Sequence, residues 1–193
     1  MSKIIRLPKA DCAGSVTLER AISQRRSRRD YLPDALTAEQ VGQLCWAAQG
    51  QTGRFKTVPS AGATYPLELF LVTGDGLFHY LPDKHSIEEL TTEDIRGKLA
   101  AAAWGQDFIR QASTTFVLAA DFERTTGRYG ERGVRYVFME SGHAAQNMHL
   151  EAEALGLGSV AVGAFDDEAV KKVLLLARNL EPIYMVVVGR YRS

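Results

Sequence analysis

The sequence predicts an α+β fold in which helices pack against a mixed β-sheet. The first observation is a hairpin, because the β-rich runs 67–73 and 76–81 flank Gly74 and Asp75, compact residues that tolerate a tight turn. The second is that later β-rich runs alternate with segments of helical periodicity, as in βαβ connections. A hairpin combined with such connections argues against a purely parallel sheet.

Two helices are predicted near the start of the chain. From residue 17 to about 27, apolar residues recur at helical spacing. Thr37, followed three residues later by Gln40, resembles a capping box and predicts a second helix through about Ala48. Two glycines soon after that point are expected to end it.

The middle of the chain is predicted to contain the hairpin, one helix and one buried strand. A polar stretch over 84–94 follows the hairpin and leads to an Ala-rich segment, 95–104, with the composition of a helix. The apolar run 115–120 comes next and predicts a buried strand.

The longest periodic segment runs to Gly156 and predicts a long helix. Small residues on this helix, Gly142, Ala144 and Ala145, permit close packing. The predicted apolar face consists of Val134, Val137, Phe138, Ala145, Met148, Ala152 and Leu155. Strands over 159–162 and 182–188, with a short helix over 167–177 between them, complete the predicted fold.

Length and composition are those of one globular domain, predicted to comprise residues 1–193. The chain has 193 residues, enough for one domain with a full core, and is 46% hydrophobic and 24% charged, which argues against disorder. Its 23 Lys and Arg residues balance 23 Asp and Glu residues. Since no global field attracts polyanions, neither nucleic acid nor a membrane is an expected partner.

The cysteines and the N-terminal residues favour a cytoplasmic location. Cys12 and Cys45 have no CxxC spacing and cannot form a disulfide framework or a four-ligand zinc site alone. The first residues lack the apolar stretch of a signal peptide, and no later apolar run approaches the roughly 18 residues of a membrane span.

Common catalytic motifs are missing from the sequence. It contains no P-loop, HExxH, EF-hand or GxSxG pattern. Gly156 and Gly158 end a predicted helix and enter a strand, the reverse of the order in a dinucleotide fingerprint. His143 and Asn147 lie one helical turn apart, near His149, but a metal needs converging ligands. No metal site is predicted, and the histidines are interpreted as hydrogen-bonded structural residues.

The densest cationic cluster is formed by Arg25, Arg26, Ser27, Arg28 and Arg29. Guanidinium groups bind phosphate in a bidentate manner and a hydroxyl adds a donor, so the cluster is suited to a phosphate group. The alternative is that these arginines only complement a helix dipole in solvent.

Two further segments have the composition of a ligand site. The loop 59–66 reads Pro-Ser-Ala-Gly-Ala-Thr-Tyr-Pro, and its small residues would let backbone and hydroxyl groups approach a flat ligand closely. A plain surface turn is the alternative. Gly189, Arg190, Tyr191 and Arg192 directly follow the last predicted strand, so basic groups near both ends of the chain can share one anion.

These segments resemble the nitroreductase family and, within it, the SagB-type dehydrogenase branch. The resemblance covers nearly the whole chain. The matching motifs, in order, are Arg-Arg-Ser-x-Arg from Arg25, Pro-Ser-Ala-Gly from Pro59, Tyr-Gly-x-Arg-Gly from Tyr129, Gly-His-x-x-Gln-Asn from Gly142 and Gly-Arg from Gly189. The order of the motifs is more specific than any one of them.

The resemblance implies a homodimeric α+β flavoprotein with a mainly antiparallel sheet and FMN in each of two sites at the subunit interface. It implies that Arg29 is the principal catalytic group, near N1 and O2 of the flavin, where a cation stabilises the charge of the reduced ring. Gly163 and Ala164 would offer backbone amides to N5. The other implied cofactor contacts are Arg25, Arg26 and Ser27 at the phosphate and ribityl chain, Pro59, Ser60, Ala61 and Gly62 from the partner subunit, Ala161 and Val162 along the ring edge, and Arg190 and Arg192 at the phosphate.

The implied function is that of an FMN-dependent oxidoreductase in which NAD(P)H or a similar donor leaves before a small organic acceptor is reduced. One alternative is a SagB-type dehydrogenase that oxidises azolines in a modified peptide. In that branch a lysine commonly precedes the Tyr-Gly-x-Arg-Gly motif, whereas Arg128 precedes Tyr129 here. Arginine is a weak replacement for a lysine base, although Tyr129 and Tyr136 remain as proton donors. A second alternative is a non-catalytic flavin-binding module.

Overall fold

The protein is built around a seven-stranded sheet, seen in a computed structural model that describes residues 3–192. The strands are β1 (Ile4–Arg6), β2 (Gln51–Thr52), β3 (Phe55–Lys56), β4 (Leu67–Thr73), β5 (Gly76–Leu81), β6 (Ser86–Thr91), β7 (Thr114–Ala120), β8 (Gly158–Val162) and β9 (Glu181–Gly189). The order across the large sheet is β1-β6-β5-β4-β7-β9-β8, and β2 and β3 form a small separate hairpin.

The large sheet is mainly antiparallel, as expected. Each ladder between its named strands within residues 3–192 is antiparallel. An isolated parallel bridge joins Ser27, which lies between α1 and α2, to Ser159 in β8. The predicted mixed, mainly antiparallel α+β architecture is therefore confirmed.

Helices cover both faces of the sheet. They are α1 (Leu18–Gln24), α2 (Ala38–Gln49), α3 (Arg96–Ala102), α4 (Asp107–Gln111), α5 (Glu123–Tyr129), α6 (Arg132–Ala154) and α7 (Asp167–Val173). Apolar residues of α2 and α6 pack on one face of the sheet and form one hydrophobic core. Apolar residues of α3, α4 and α7 pack on the other face and form a second core. Successive residues of a strand point to opposite faces, so neighbours such as Leu69 and Phe70 of β4 belong to different cores.

Local chemistry explains why the hairpin and α2 match their predicted bounds. Thr73 pairs with Gly76 across the turn, and Gly76 has a φ of 136°, which favours glycine. A Cβ atom there would lie 2.0 Å from a backbone oxygen, so glycine is also required by space. At the start of α2, Thr37 and Gln40 exchange side-chain and backbone hydrogen bonds in a complete capping box.

Helix α6 buries a narrower stripe than its periodicity predicts. Val137, Met148 and Ala152 are fully buried, as expected. However, Val134 is 38% exposed and Phe138 is 51% exposed, so part of the predicted apolar face is not covered within the protomer. Gly142 is also exposed, and nothing lies within 4 Å of a Cβ placed on it. The periodicity defines an apolar stripe but not how much of it the sheet covers.

Other boundaries differ from the predicted ones for backbone reasons. The helix predicted to reach residue 27 ends at Gln24, because Arg25 has a ψ of 123°. The helix predicted over 95–104 stops at Ala102, shortly before Trp104 with a φ of 56°. The helix predicted over 167–177 stops at Val173, before Leu175 with a φ of 54°. Strand β6 lies within the stretch taken as a polar connection, and α4 and α5 were not predicted.

Candidate functional site

The basic segment after α1 is hydrogen-bonded to strand β8 and to the segment that follows β9. The Arg28 amide donates a 3.0 Å hydrogen bond to the Ser159 carbonyl oxygen in β8. The Leu32 amide donates a 2.9 Å hydrogen bond to the Arg190 carbonyl oxygen. A bridge between Tyr31 and Tyr191 strengthens the same junction. The two basic segments, distant in sequence, therefore lie side by side.

The arginines of this segment have different surroundings. Nη1 of Arg26 donates to the carbonyl oxygens of Ser23 and Arg25, at 3.0 and 2.8 Å, so its guanidinium caps the end of α1. This is the helix-capping alternative, realised by one arginine of the cluster. The Arg28 guanidinium lies 4.0 Å from the centre of the Tyr191 ring, in a cation–π contact.

Arg25, Arg29, Arg190 and Arg192 form a concentration of positive charge on the two adjoining segments. Among residues 3–192, none of these four arginines forms an ion pair with a carboxylate. Like charges that share one region repel each other, and an anion relieves that repulsion. The cluster therefore fits the phosphate group of a nucleotide, and Arg29, Arg190 and Arg192 are exposed to receive one.

The loop after β8 is hydrogen-bonded to Gln106, the residue before α4, a helix that the sequence did not predict. Gly163 and Ala164 are exposed, as groups that meet a ligand must be, and Ala161 is half-buried in β8 beside buried Val162. Nε2 of Gln106 donates to the Ala164 carbonyl oxygen at 2.8 Å.

Helix α4 also reaches the basic segment. The Arg29 guanidinium carbon lies 5.8 Å from the centre of the Phe108 ring on α4, and Gln106 directly precedes that helix. The start of α4 therefore contacts Arg29 and Ala164 together. Five residues form α4, too few to show helical periodicity in the sequence, so Gln106 and Phe108 carried no signal.

The loop 59–62 packs against α5 and α6 of its own chain. It includes a short turn, Ala61–Ala63, in which Gly62 has a φ of 59°. Nη1 of Arg128 donates to the Gly62 carbonyl oxygen at 3.2 Å. A Cβ atom on Gly62 would lie 2.6 Å from the Tyr129 hydroxyl, so that only glycine fits without displacing Tyr129. Arg128, in the position where the SagB-type branch commonly has lysine, thus holds this loop.

Within one protomer, the structure does not place the loop 59–62 in the arginine cluster. Ser60 lies close enough to Glu140 on α6 to lower the pKa of that carboxyl group, whereas Arg25 of the arginine cluster lies close enough to His149 on the same helix to lower the pKa of its imidazole. Nine residues of α-helix separate those two positions by about 13 Å. The predicted cofactor contacts therefore fall into two groups on each protomer.

Two buried groups on α6 have shifted pKa values. Burial raises the pKa of Glu140 to about 7, against the opposing effects of a Ser60 hydrogen bond and the Lys56 charge. Burial lowers the pKa of His149 to about 4, and the Arg25 charge acts in the same direction. His149 is therefore neutral at neutral pH. Its Nδ1 lies 2.8 Å from the Ser159 hydroxyl, in line with its predicted role as a hydrogen-bonded structural residue.

No group of three or more His, Cys, Asp or Glu side chains in residues 3–192 is arranged to hold a metal ion. In the same range no helix is long and apolar enough to cross a membrane.

Comparison with known proteins identifies relatives over most of the chain. Residues 22–190 match the model of the nitroreductase family. A nitroreductase-like protein of Methanocaldococcus jannaschii is 44% identical over 183 residues, 91% of each chain. The crystal structure of a nitroreductase-like protein from Ralstonia eutropha superposes with a TM-score of 0.88 at 26% identity, over 98% of this chain and 90% of that one.

A third relative is a microcin-processing protein. The microcin B17-processing protein McbC of Escherichia coli is 31% identical over an alignment of 144 positions, and the match covers 68% of this chain. The matched region spans 53% of the length of that protein.

Proposed function

Because the chain belongs to the nitroreductase family, we propose that it is an FMN-dependent oxidoreductase that passes electrons from NAD(P)H or a similar donor to a small organic acceptor. Family membership supports the oxidoreductase class. We also propose that the electron donor leaves before the acceptor binds. The whole chain would form one FMN-binding domain.

The observation that carries the proposal is the arginine cluster where the segment after α1 meets the segment after β9, in which Arg25, Arg29, Arg190 and Arg192 form no ion pair with a carboxylate of residues 3–192. Arg25, Arg190 and Arg192 would hold the phosphate of FMN, with Ser27 at the ribityl chain. Arg26 contributes less to such a site because it caps α1. Bound FMN would supply the capacity to accept a hydride and to pass its electrons to a second substrate.

The protein's own contribution to the reaction is electrostatic and positional. Arg29 would stabilise negative charge at the pyrimidine end of the cofactor, and the Phe108 ring packs near its guanidinium. The amides of Gly163 and Ala164 would face the reacting edge, in a loop that Gln106 holds. No side chain has to act as an acid or base for hydride transfer in this scheme.

We propose that two copies of the chain complete each site. The loop 59–62 lies away from the arginine cluster of its own protomer, so it would contact FMN bound mainly by the partner. Val134, Phe138 and Met139 form an exposed apolar surface on α6 near this loop, with Phe138 51% and Met139 56% exposed. An apolar surface of this kind favours burial in a homodimer.

Similarity to McbC supports the azoline-oxidising alternative and links the chain to the SagB-type branch. Arg128 weighs against it, because its guanidinium holds Gly62 and deprotonates poorly. Tyr129 and Tyr136 are in edge-to-face contact, with centroids 5.2 Å apart, and both retain a hydroxyl that can donate a proton.

The proposal is tested by reconstituting the purified protein with FMN and recording its visible spectrum and its steady-state kinetics. We expect one bound flavin per chain and, with NADH or NADPH and a quinone or nitroaromatic acceptor, parallel double-reciprocal plots. Free FMN at equal concentration is the control. Failure to bind FMN would contradict the proposal, and binding without electron exchange would support the non-catalytic module.

The azoline alternative needs a separate arm of the same experiment. An azoline-containing peptide is mixed with the FMN-loaded protein under anaerobic conditions without NAD(P)H. Bleaching of the flavin absorbance by the peptide would favour the peptide dehydrogenase. An unchanged spectrum, followed by bleaching with NAD(P)H, would favour the small-molecule oxidoreductase.

A further inference from the structure

Arg28 belongs to the basic segment after α1, but the proposed cofactor site gives it no role. Its backbone is held on both sides. The Arg28 amide donates to the Ser159 carbonyl oxygen at 3.0 Å, and the Arg28 carbonyl oxygen accepts a 2.7 Å hydrogen bond from the hydroxyl of buried Tyr31. Because both backbone groups are engaged, the place from which the Arg28 side chain extends is fixed.

The Arg28 guanidinium meets an aromatic ring rather than a carboxylate. Within residues 3–192 it forms no ion pair, and its Nε is buried without a hydrogen-bond partner. Its Cζ lies 4.0 Å from the centre of the Tyr191 ring. The face of an aromatic ring attracts a cation, and the attraction is stronger where water is excluded. The stack on Tyr191 is therefore the contact through which the Arg28 side chain acts.

Tyr191 is itself closely seated at the end of the sheet. A Cβ atom on Gly158 of β8 would lie 3.0 Å from Cβ of Tyr191, so a larger residue there would push the tyrosine away. Tyr191 forms an antiparallel bridge with Tyr31, and the Leu32 amide donates to the Arg190 carbonyl oxygen at 2.9 Å. The segment after β9 is thus held between β8 and the basic segment after α1.

The stack fixes the segment without adding negative charge. Arg190 and Arg192 flank Tyr191 in the sequence, so a contact that holds Tyr191 also holds the backbone from which both arginines extend. Repulsion between these arginines and Arg29 opposes their approach. A carboxylate paired with Arg28 would weaken the positive field of the cluster, whereas a neutral ring leaves it intact.

We propose that Arg28 is a positioning residue that, by stacking on Tyr191, holds Arg190 and Arg192 beside Arg29 for binding of the cofactor phosphate. The part that concerns FMN rests on the proposed function. The part that concerns the junction does not, because it depends only on contacts within the chain. Arg28 does not contact the phosphate in this proposal.

The test removes each partner of the stack in turn. Arg28→Ala and Tyr191→Leu are compared with Tyr191→Phe, which keeps the ring. Arg54→Ala is the matched control, because the Arg54 guanidinium lies 4.8 Å from the centre of the Phe55 ring in a separate cation–π contact. Hydrogen exchange of the Leu32 amide is measured in FMN-free protein, with amides of β7 as a check of folding.

We expect Arg28→Ala and Tyr191→Leu each to accelerate exchange of the Leu32 amide roughly three- to tenfold, as for the loss of one cation–π contact. Tyr191→Phe and Arg54→Ala should leave it nearly unchanged. The double variant with both Arg28→Ala and Tyr191→Leu should exchange no faster than either single variant, because the stack is already broken. FMN affinity should fall to a similar extent in the two single variants and be kept in Tyr191→Phe.

Three results would count against parts of this assignment. Parent-like Leu32 exchange in a folded Arg28→Ala variant, or additive effects of the two substitutions, would overturn the proposal. Weaker FMN binding in Arg28→Ala but not in Tyr191→Leu would also overturn it, because Arg28 would then bind the phosphate directly. Faster Leu32 exchange with unchanged FMN affinity would support the stack and contradict the placement of Arg190 and Arg192 at the phosphate.

Discussion

Nδ1 of His149 lies 2.8 Å from Oγ of Ser159, and this contact ties the long helix α6 to strand β8. The carbonyl oxygen of the same serine accepts the Arg28 amide. Ser159 therefore connects the core helix to the basic segment on the surface.

Stability should fall in mild acid because of His149. Its pKa is about 4 in the folded protein, against 6.5 ordinarily, so below pH 6.5 the unfolded chain takes up a proton that the folded chain excludes. The free energy of unfolding is therefore unaffected by this group above pH 6.5. It falls by as much as about 3 kcal/mol as the pH drops from 6.5 towards 4. Denaturant titration of the parent and of His149→Gln at pH 7 and pH 4.5 measures it. An equal loss of stability in both proteins would exclude His149 as the cause.

Arg25→Ala should weaken FMN binding. Loss of a charge-assisted phosphate contact costs about 1.5–3 kcal/mol, or roughly 10- to 150-fold in the dissociation constant. Titration of the apoprotein with FMN gives that constant. Arg26→Ala is the matched control, because the Arg26 guanidinium is engaged with carbonyl oxygens at the end of α1. Equal effects of the two substitutions would remove Arg25 from the phosphate site.

Arg29→Gln should lower the midpoint potential of bound flavin while changing its affinity for oxidised FMN little. Glutamine still donates a hydrogen bond but no longer offsets the charge of the reduced ring. A loss of about 1.4–2.8 kcal/mol corresponds to roughly 30–60 mV for a two-electron couple. Spectroelectrochemistry at equal FMN occupancy measures the shift, with Arg20→Gln on α1 as the control. An unchanged potential would show that Arg29 has only a structural or phosphate-side role.

Phe138→Asp should reduce dimer formation and FMN content together. Phe138 is 51% exposed on α6, and a carboxylate buried in an interface there would be strongly unfavourable. Sedimentation velocity and the ratio of flavin to protein absorbance report the two properties. Leu175→Asn removes another exposed apolar side chain, 68% exposed beyond α7, and should affect neither. A monomeric Phe138→Asp variant with full, tightly held FMN would contradict the shared site.

Glu140 should make the protein less stable as the pH rises. Its pKa is about 7 in the folded protein, against 4.5 ordinarily, so above pH 4.5 the unfolded chain loses a proton that the folded chain retains. The destabilisation grows up to about pH 7 and then stays constant, at about 3 kcal/mol at most. Glu140→Gln removes this dependence, so its stability relative to the parent should be greater at pH 8.5 than at pH 4.5. If the relative stability is the same at both pH values, Glu140 is not a buried group with a raised pKa.

Much of the fold follows from local patterns in the sequence. The strands β4 and β5 have their predicted bounds, because β-rich runs on either side of a compact turn specify a hairpin within a few residues. The capping box of α2 is equally local. Strand β6 was missed because Glu88 and Glu89 lower its β propensity, and its extended form comes from pairing with β5 on one side and β1 on the other.

The sequence by itself determined the motifs and their order, and with them the predicted membership of the nitroreductase family. Only the tertiary structure decided which group each side chain meets. It pairs the Arg28 amide with Ser159, directs Arg26 back to α1, and brings Gln106 to Ala164. It also buries Glu140 near the middle of α6. Spacing along a helix or strand shows which residues share a face, but contacts between distant segments depend on how the whole chain closes around the sheet.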